Sequence, residues 1–180
     1  MIIRFDNIDK TIWLEKIVQI VDKTTNYSKG ESIVLDFSKS IKKANLLPIH
    51  IVTYACLIHY LKIEKGCIVT QGQSNKEVAA FIYEELGLKY YWKGSNHIES
   101  ADMSILNLWR VVREEADLYT SRVAEYFKNN YFKNKDLSTL SISMVEAFYN
   151  ISDHAKAGDN AFSLIMYNHL RKELKVAISD

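Results

Sequence analysis

Between residues 30 and 95 short β-branched runs alternate with helical periods, and that alternation restricts this part of the chain to a layered α/β arrangement. "SIVLDF", Ser32 to Phe37, follows the turn "YSKGE" and reads as a buried strand. "LPIHIVTYACLIHYLKIEKG" opens on Pro48, which suits the first turn of a helix. It carries Ile51, Ala55, Ile58 and Leu61 at helical spacing and stops at Gly66. "CIVTQG" is a second strand. "SNKEVAAFIYEELG" has a Ser/Asn cap, an acidic residue in its first turn and a closing Gly87, the marks of a second helix. "LKYYW" reads as a third strand, and "IWLEKIVQIVDKTT" adds an amphipathic helix at the front. These elements make a small α/β domain over residues 1–95.

The stretch "KGSNHIESADMS" concentrates Gly, Ser and Asn and is the expected seam. Beyond it the pattern predicts mostly helix. "ILNLWRVVREEADLYTSRVAEYFKNNYF" carries apolar residues through Leu118, Val123 and Phe127, and "LSTLSISMVEAFYNISDHA" is a second long helical pattern. "AFSLIMYNHL" and "LKVAISD", separated by "RKE", predict a closing β-hairpin.

Charge and cysteine usage exclude several function classes. Lys plus Arg (23) nearly balances Asp plus Glu (22), which leaves no overall electrostatic footprint for nucleic acid or a membrane surface. No apolar run reaches membrane-spanning length and the N-terminus has no signal-peptide pattern, so a cytoplasmic protein is expected. Cys56 and Cys67 lie in apolar neighbourhoods without a Cys-x-x-Cys and read as reduced core thiols rather than zinc or redox groups. His50, His59, His97 and His169 occur singly and read as hydrogen-bonded side chains. There is no P-loop, no dinucleotide glycine fingerprint and no nucleophile elbow. The aromatic runs "YYW" and "YFKNNYF" fit either core packing or a partner surface.

The most specific feature is a line of polar residues on an otherwise apolar helix. Leu137, Leu140, Met144, Phe148, Ile151 and Ala155 form one apolar stripe, widened by Ile142, Val145 and Tyr149. Thr139, Ser143, Glu146, Asn150 and Asp153 fill the remaining strip at intervals of three or four. Spacing alone is that of a solvated face. After the helix come a short Gly/Asp/Asn loop, "KAGDN", then a strand, a turn, and a strand ending in "VAISD".

This order resembles the ATP-binding domain of the GHKL superfamily, the histidine kinase-like ATPases. In that family a helix bears Glu-x-x-x-Asn, often with an acidic residue and then His or Ala after it. Here the pattern stands as Glu146, Asn150, Asp153 and His154, and Asp180 sits where the family has an Asp ending an apolar strand. The resemblance implies Glu146 as the catalytic carboxylate that orients or deprotonates the attacking group. It implies Asn150 as the Mg²⁺ ligand, through a neutral hard oxygen. Asp180 would accept from the adenine amino group, Asp153 would line the pocket nearby, and His154 would be structural. The family continues into glycine-rich turns, so the likeness covers roughly residues 105–180 and implies the first half of a nucleotide pocket. ATP and Mg²⁺ are expected as cofactors only where that pocket is completed beyond Asp180. The 180 residues by themselves are not expected to hydrolyse ATP.

Residues 1–95 resemble the STAS domains of anti-sigma-factor antagonists in the order of their strands and helices. That family's phosphorylatable Ser turn is replaced here by "ANLLP", Ala44 to Pro48, while Ser38 and Ser40 read as strand-end and helix caps. The expected fold is therefore α/β, a small STAS-like domain followed by a mainly helical segment and a β-hairpin that form the first part of a GHKL α/β sandwich. The expected function is a regulatory signalling protein with a histidine kinase-like ATP-binding domain, acting as ATPase or protein kinase in complete form. The alternative is a non-catalytic partner-binding module of the partner-switching type. Either implies a protein partner, with neither nucleic acid nor membrane, and the open hairpin edge predicts a homodimer.

Overall fold

The computed structural model describes residues 1–93, 100, 102–154 and 160–180. The protein is mixed α/β and built on two separate three-stranded sheets. Strands β1 (Ile2–Phe5), β2 (Ser32–Phe37) and β3 (Ile68–Gln71) form a parallel sheet in that order, with Ile3 opposite Leu35 and Leu35 opposite Gln71. Helix α1 (Lys10–Thr24) connects the first pair and α2 (Pro48–His59) the second. Asp9 caps α1 by accepting from the backbone N–H groups of Thr11 and Ile12. Ile3, Phe5, Ile33, Leu35 and Phe37 alternate inward and are buried, whereas Ile2 and Arg4 point outward.

The two helices stopped by glycine end as the sequence predicts. A wide turn, Tyr60–Glu64, extends α2 to Gly66, whose φ of 64° is open to glycine at little cost. Helix α3 (Lys76–Ala80), capped by the Asn75 side chain on Val78 N–H, runs through a similar turn, Phe81–Glu85, to Gly87 at φ 79°. One expectation fails here. "LKYYW" is not a strand: Leu88–Lys93 forms a short helix, α4, entered by the Tyr90 N–H to Gly87 carbonyl bond, with Leu88 buried. The third strand of the sheet is instead β1, from a segment too short to announce itself.

The second sheet is antiparallel, in the order β4 (Ile105–Val112), β5 (Asn160–Asn168), β6 (Glu173–Ser179). "ILNLWRVV" is thus strand rather than the start of a helix. Its residues pair with β5 on both sides of an irregularity between Leu106 and Trp109. The helix begins only at α5 (Ala116–Asn130), after a single tight turn at Arg113–Glu115. Val123 and Phe127 are buried as expected, but Leu118 is 56 % exposed and lies off the packed face. Helix α6 (Ser138–His154) and the β5–β6 hairpin match the expectation, the latter turning through Lys172 at φ 53°. The seam expected at residues 93–104 and the "KAGDN" loop fall largely outside the described residues.

Helix α2 joins the two halves. Nine of its twelve residues are buried, on all sides rather than along one stripe, because it is covered by α1 and the parallel sheet on one side and by β5 and β6 on the other. Leu108, Phe162, Leu164 and Ala177 of the second sheet accordingly belong to the same core as Ile33, Leu35 and Phe37. Trp13 anchors α1 into this core, donating Nε1–H to Thr53 Oγ1 at 2.9 Å and stacking on Phe37. The opposite face of the second sheet packs Leu106, Trp109, Val111 and Ile165 against Val123, Phe127, Met144 and Phe148 of α5 and α6. Among the described residues no helix is long and apolar enough to cross a membrane.

Candidate functional site

Helix α6 is held from its first turn. Asp136 accepts from the Ser138 backbone N–H and hydroxyl, both at 2.9 Å, and these bonds lower its carboxyl from the usual value. Met144 and Phe148 are buried, and Leu137, Leu140, Tyr149 and Ile151 are half-buried against the same core. Ile142, read as part of the apolar band, is 66 % exposed. The complementary strip is as the spacing predicts, for Thr139, Ser143, Glu146, Asn150 and Asp153 are all exposed.

The strip ends in a polar cluster that the sequence does not announce. Asp153 accepts from Arg113 Nη1 at 2.5 Å, and the same guanidinium lies over the Tyr149 ring, 5.1 Å from its centre. Arg113 lowers the Asp153 carboxyl from the usual value. Tyr149 in turn donates its hydroxyl to Asp117 Oδ2 at 2.7 Å, and that bond raises the phenol. The C-terminal half of α6 is thereby tied to the turn after β4 and to the first turn of α5, on the flank of Asn150. Asp153 is thus engaged in an ion pair, and Tyr149, expected to widen the apolar band, carries a polar link as well. No local pattern signals these contacts, since the partners lie 40 and 32 residues apart.

Asp180 follows β6 directly. Leu174, Val176 and Ile178 of that strand pack towards α6 while Ala177 packs towards α2, and Asp180, past the end of the strand, lies beside Cys56 and His59 of α2. The residue also borders a cavity of about 270 Å³, lined by Ile17, Val21, Cys56, His59 and Phe162. Its neighbour Ser179 bonds Cys56, whose thiol is pushed up to about 12 by burial. Burial raises Cys67 too, so neither cysteine is a ready thiolate. Glu146, Asn150 and Asp153 line neither this cavity nor those bordered by Arg122, Lys43 and Lys128. Among the described residues no three His, Cys, Asp or Glu side chains are grouped to hold a metal ion.

No family model, curated protein or solved structure matches this chain.

Proposed function

We propose that the protein is a regulatory signalling protein in which a STAS-like unit precedes a histidine kinase-like ATP-binding unit. One observation carries the reading. An amphipathic helix, packed by its apolar face on an antiparallel sheet, exposes Glu146 and Asn150 one turn apart, and two strands later an apolar strand runs straight into Asp180. The residue types suit the task. The Asn150 side-chain oxygen is a hard neutral donor for Mg²⁺, most of whose ligands would be phosphate and water, so a single protein oxygen suffices. Bound Mg²⁺ would neutralise phosphate charge, while Glu146 would orient or accept a proton from the attacking hydroxyl. Asp180 would accept from the adenine amino group. Asp153, paired with Arg113, fits a positioning role better than a place in the pocket wall. The test is Mg²⁺-dependent ATP binding by the full-length protein, weakened in Asn150→Ala.

A second reading has its own support in β6. This strand is the edge of its sheet, and among the described residues no further strand pairs with its outer side. In that reading the protein is a non-catalytic partner-switching module that pairs through this edge, first of all with a second copy of itself.

A further inference from the structure

His50 lies in the first turn of α2 and is 1 % exposed. Its Nδ1 accepts the Leu47 backbone N–H at 3.0 Å, so the proton of the neutral ring sits on Nε2. Nε2 is buried near the Ile8 carbonyl without a well-formed hydrogen bond. The Trp13 ring packs on this imidazole, 5.0 Å between centres, while its Nε1–H donates to Thr53 three residues along α2. The anchor of α1 therefore rests on the His50 ring. The charged groups of the flanking segments are Asp6 and Asp9 ahead of α1, Lys10 on α1, and Lys42 and Lys43 ahead of α2. Asp9 caps α1, Lys43 pairs with Glu85, and Lys10 is the group whose charge bears on the ring.

We propose that His50 is an acid-released latch, which holds the entry of α2 and the Trp13 anchor of α1 while Nδ1 is bare and frees both when Nδ1 takes a proton. The geometry leaves the added proton no tolerable place. On Nδ1 it would set a donor against the Leu47 N–H, and the resulting cation would be buried at the positive end of a helix. Burial first, and Lys10 after it, accordingly keep the ring below its ordinary value of 6.5, against a smaller opposing pull from the Ile8 carbonyl. The proton is taken up only where the ring reaches water, in an opened form. The sign follows. Above about pH 6.5 the closed form keeps its full stability, and each pH unit below that favours the opened form by up to about tenfold, until the ring can also titrate in place. That window lies above the range in which Asp36 takes up its proton. The inference does not depend on nucleotide binding.

The test is nuclear magnetic resonance on the intact ¹⁵N-labelled protein. At neutral pH the His50 imidazole nitrogens are expected to report the Nε2–H form. Hydrogen exchange of the Trp13 indole N–H and the Thr53 amide, corrected for its intrinsic pH dependence, should then accelerate by up to about tenfold per pH unit below about pH 6.5. Because a latch exposes little surface, this exchange should barely respond to about 1 M urea. His50→Asn puts an oxygen that cannot take a proton where Nδ1 accepts, and should abolish the pH dependence. Lys10→Glu, on an exposed side chain, offers the cation a partner in the closed form and should weaken that dependence, so the proposal stays testable if His50→Asn fails to fold. Exchange unchanged between pH 7.5 and 5, a ring proton found on Nδ1 at neutral pH, or the same pH dependence in both variants would overturn the proposal. So would exchange at pH 5 as urea-sensitive as global unfolding, which would reduce His50 to a contributor to overall stability.

Discussion

Replacing Leu164 by alanine should destabilise the parallel sheet as much as the antiparallel sheet to which Leu164 belongs. Leu164 sits in the middle of β5 with no exposed surface, on the face packed against α2, in one core with Phe162, Ala177 and the inward residues of β2. Truncation leaves a cavity that the rigid strand and a helix buried on all sides cannot close. The cost should fall in the range of about 2.7–5 kcal/mol seen for buried leucines. Because α2 belongs to both layers, that cost should be felt by the whole protein. Hydrogen exchange read by mass spectrometry follows each sheet separately. In the globally protected amides of both β2 and β5, exchange should accelerate by about 100-fold to 5,000-fold, the same free energy expressed as a rate. Acceleration confined to β5, with β2 unchanged, would refute a shared core and make the two sheets independent folding units.

Acid should expose the role of Asp36, which is 3 % exposed at the end of β2. Burial pushes its carboxyl up, but the Ser74 hydroxyl and backbone N–H and the Arg4 guanidinium outweigh this and hold it below 3.8. Stability from a lowered carboxyl is complete above pH 3.8 and is lost as the pH falls through the lowered value, so urea midpoints should drop below about pH 4, and Asp36→Asn should flatten that drop. The open edge of β6 predicts a dimer, and light scattering across micromolar concentrations should show a mass near twice 20.8 kDa that Val176→Pro reduces to one chain. A monomer throughout would remove the edge-pairing interface.

Much of the fold is legible because local signals and tertiary demands agree. Pro48 opens α2, Gly66 and Gly87 close their helices at positive φ, and "SIVLDF" is the buried strand that its β-branched run predicts. The misreadings occur where packing overrides propensity. Tyr90 and Tyr91 favour strands, yet the tight turn from Gly87 commits them to α4. "ILNLWRVV" flows into a strong helical period, and only its pairing with β5 separates strand from helix. β1 is four residues long and gains its place from β2. At the candidate site, the exposed strip of α6 follows from its spacing. The Arg113–Asp153 pair and the Tyr149–Asp117 bond do not, because they join residues far apart in sequence.

The central claim meets its most direct test in a titration of the full-length protein with a fluorescent ATP analogue, with and without Mg²⁺, in wild type and Asn150→Ala. Asn150 is exposed on its helix, and alanine is a strong helix former, so the variant should fold normally. The account predicts Mg²⁺-dependent binding that Asn150→Ala weakens on the order of tenfold to a hundredfold, as for loss of one charged contact, with no difference in the absence of metal. Binding that ignores Mg²⁺, or an affinity that Asn150→Ala leaves unchanged, would contradict it.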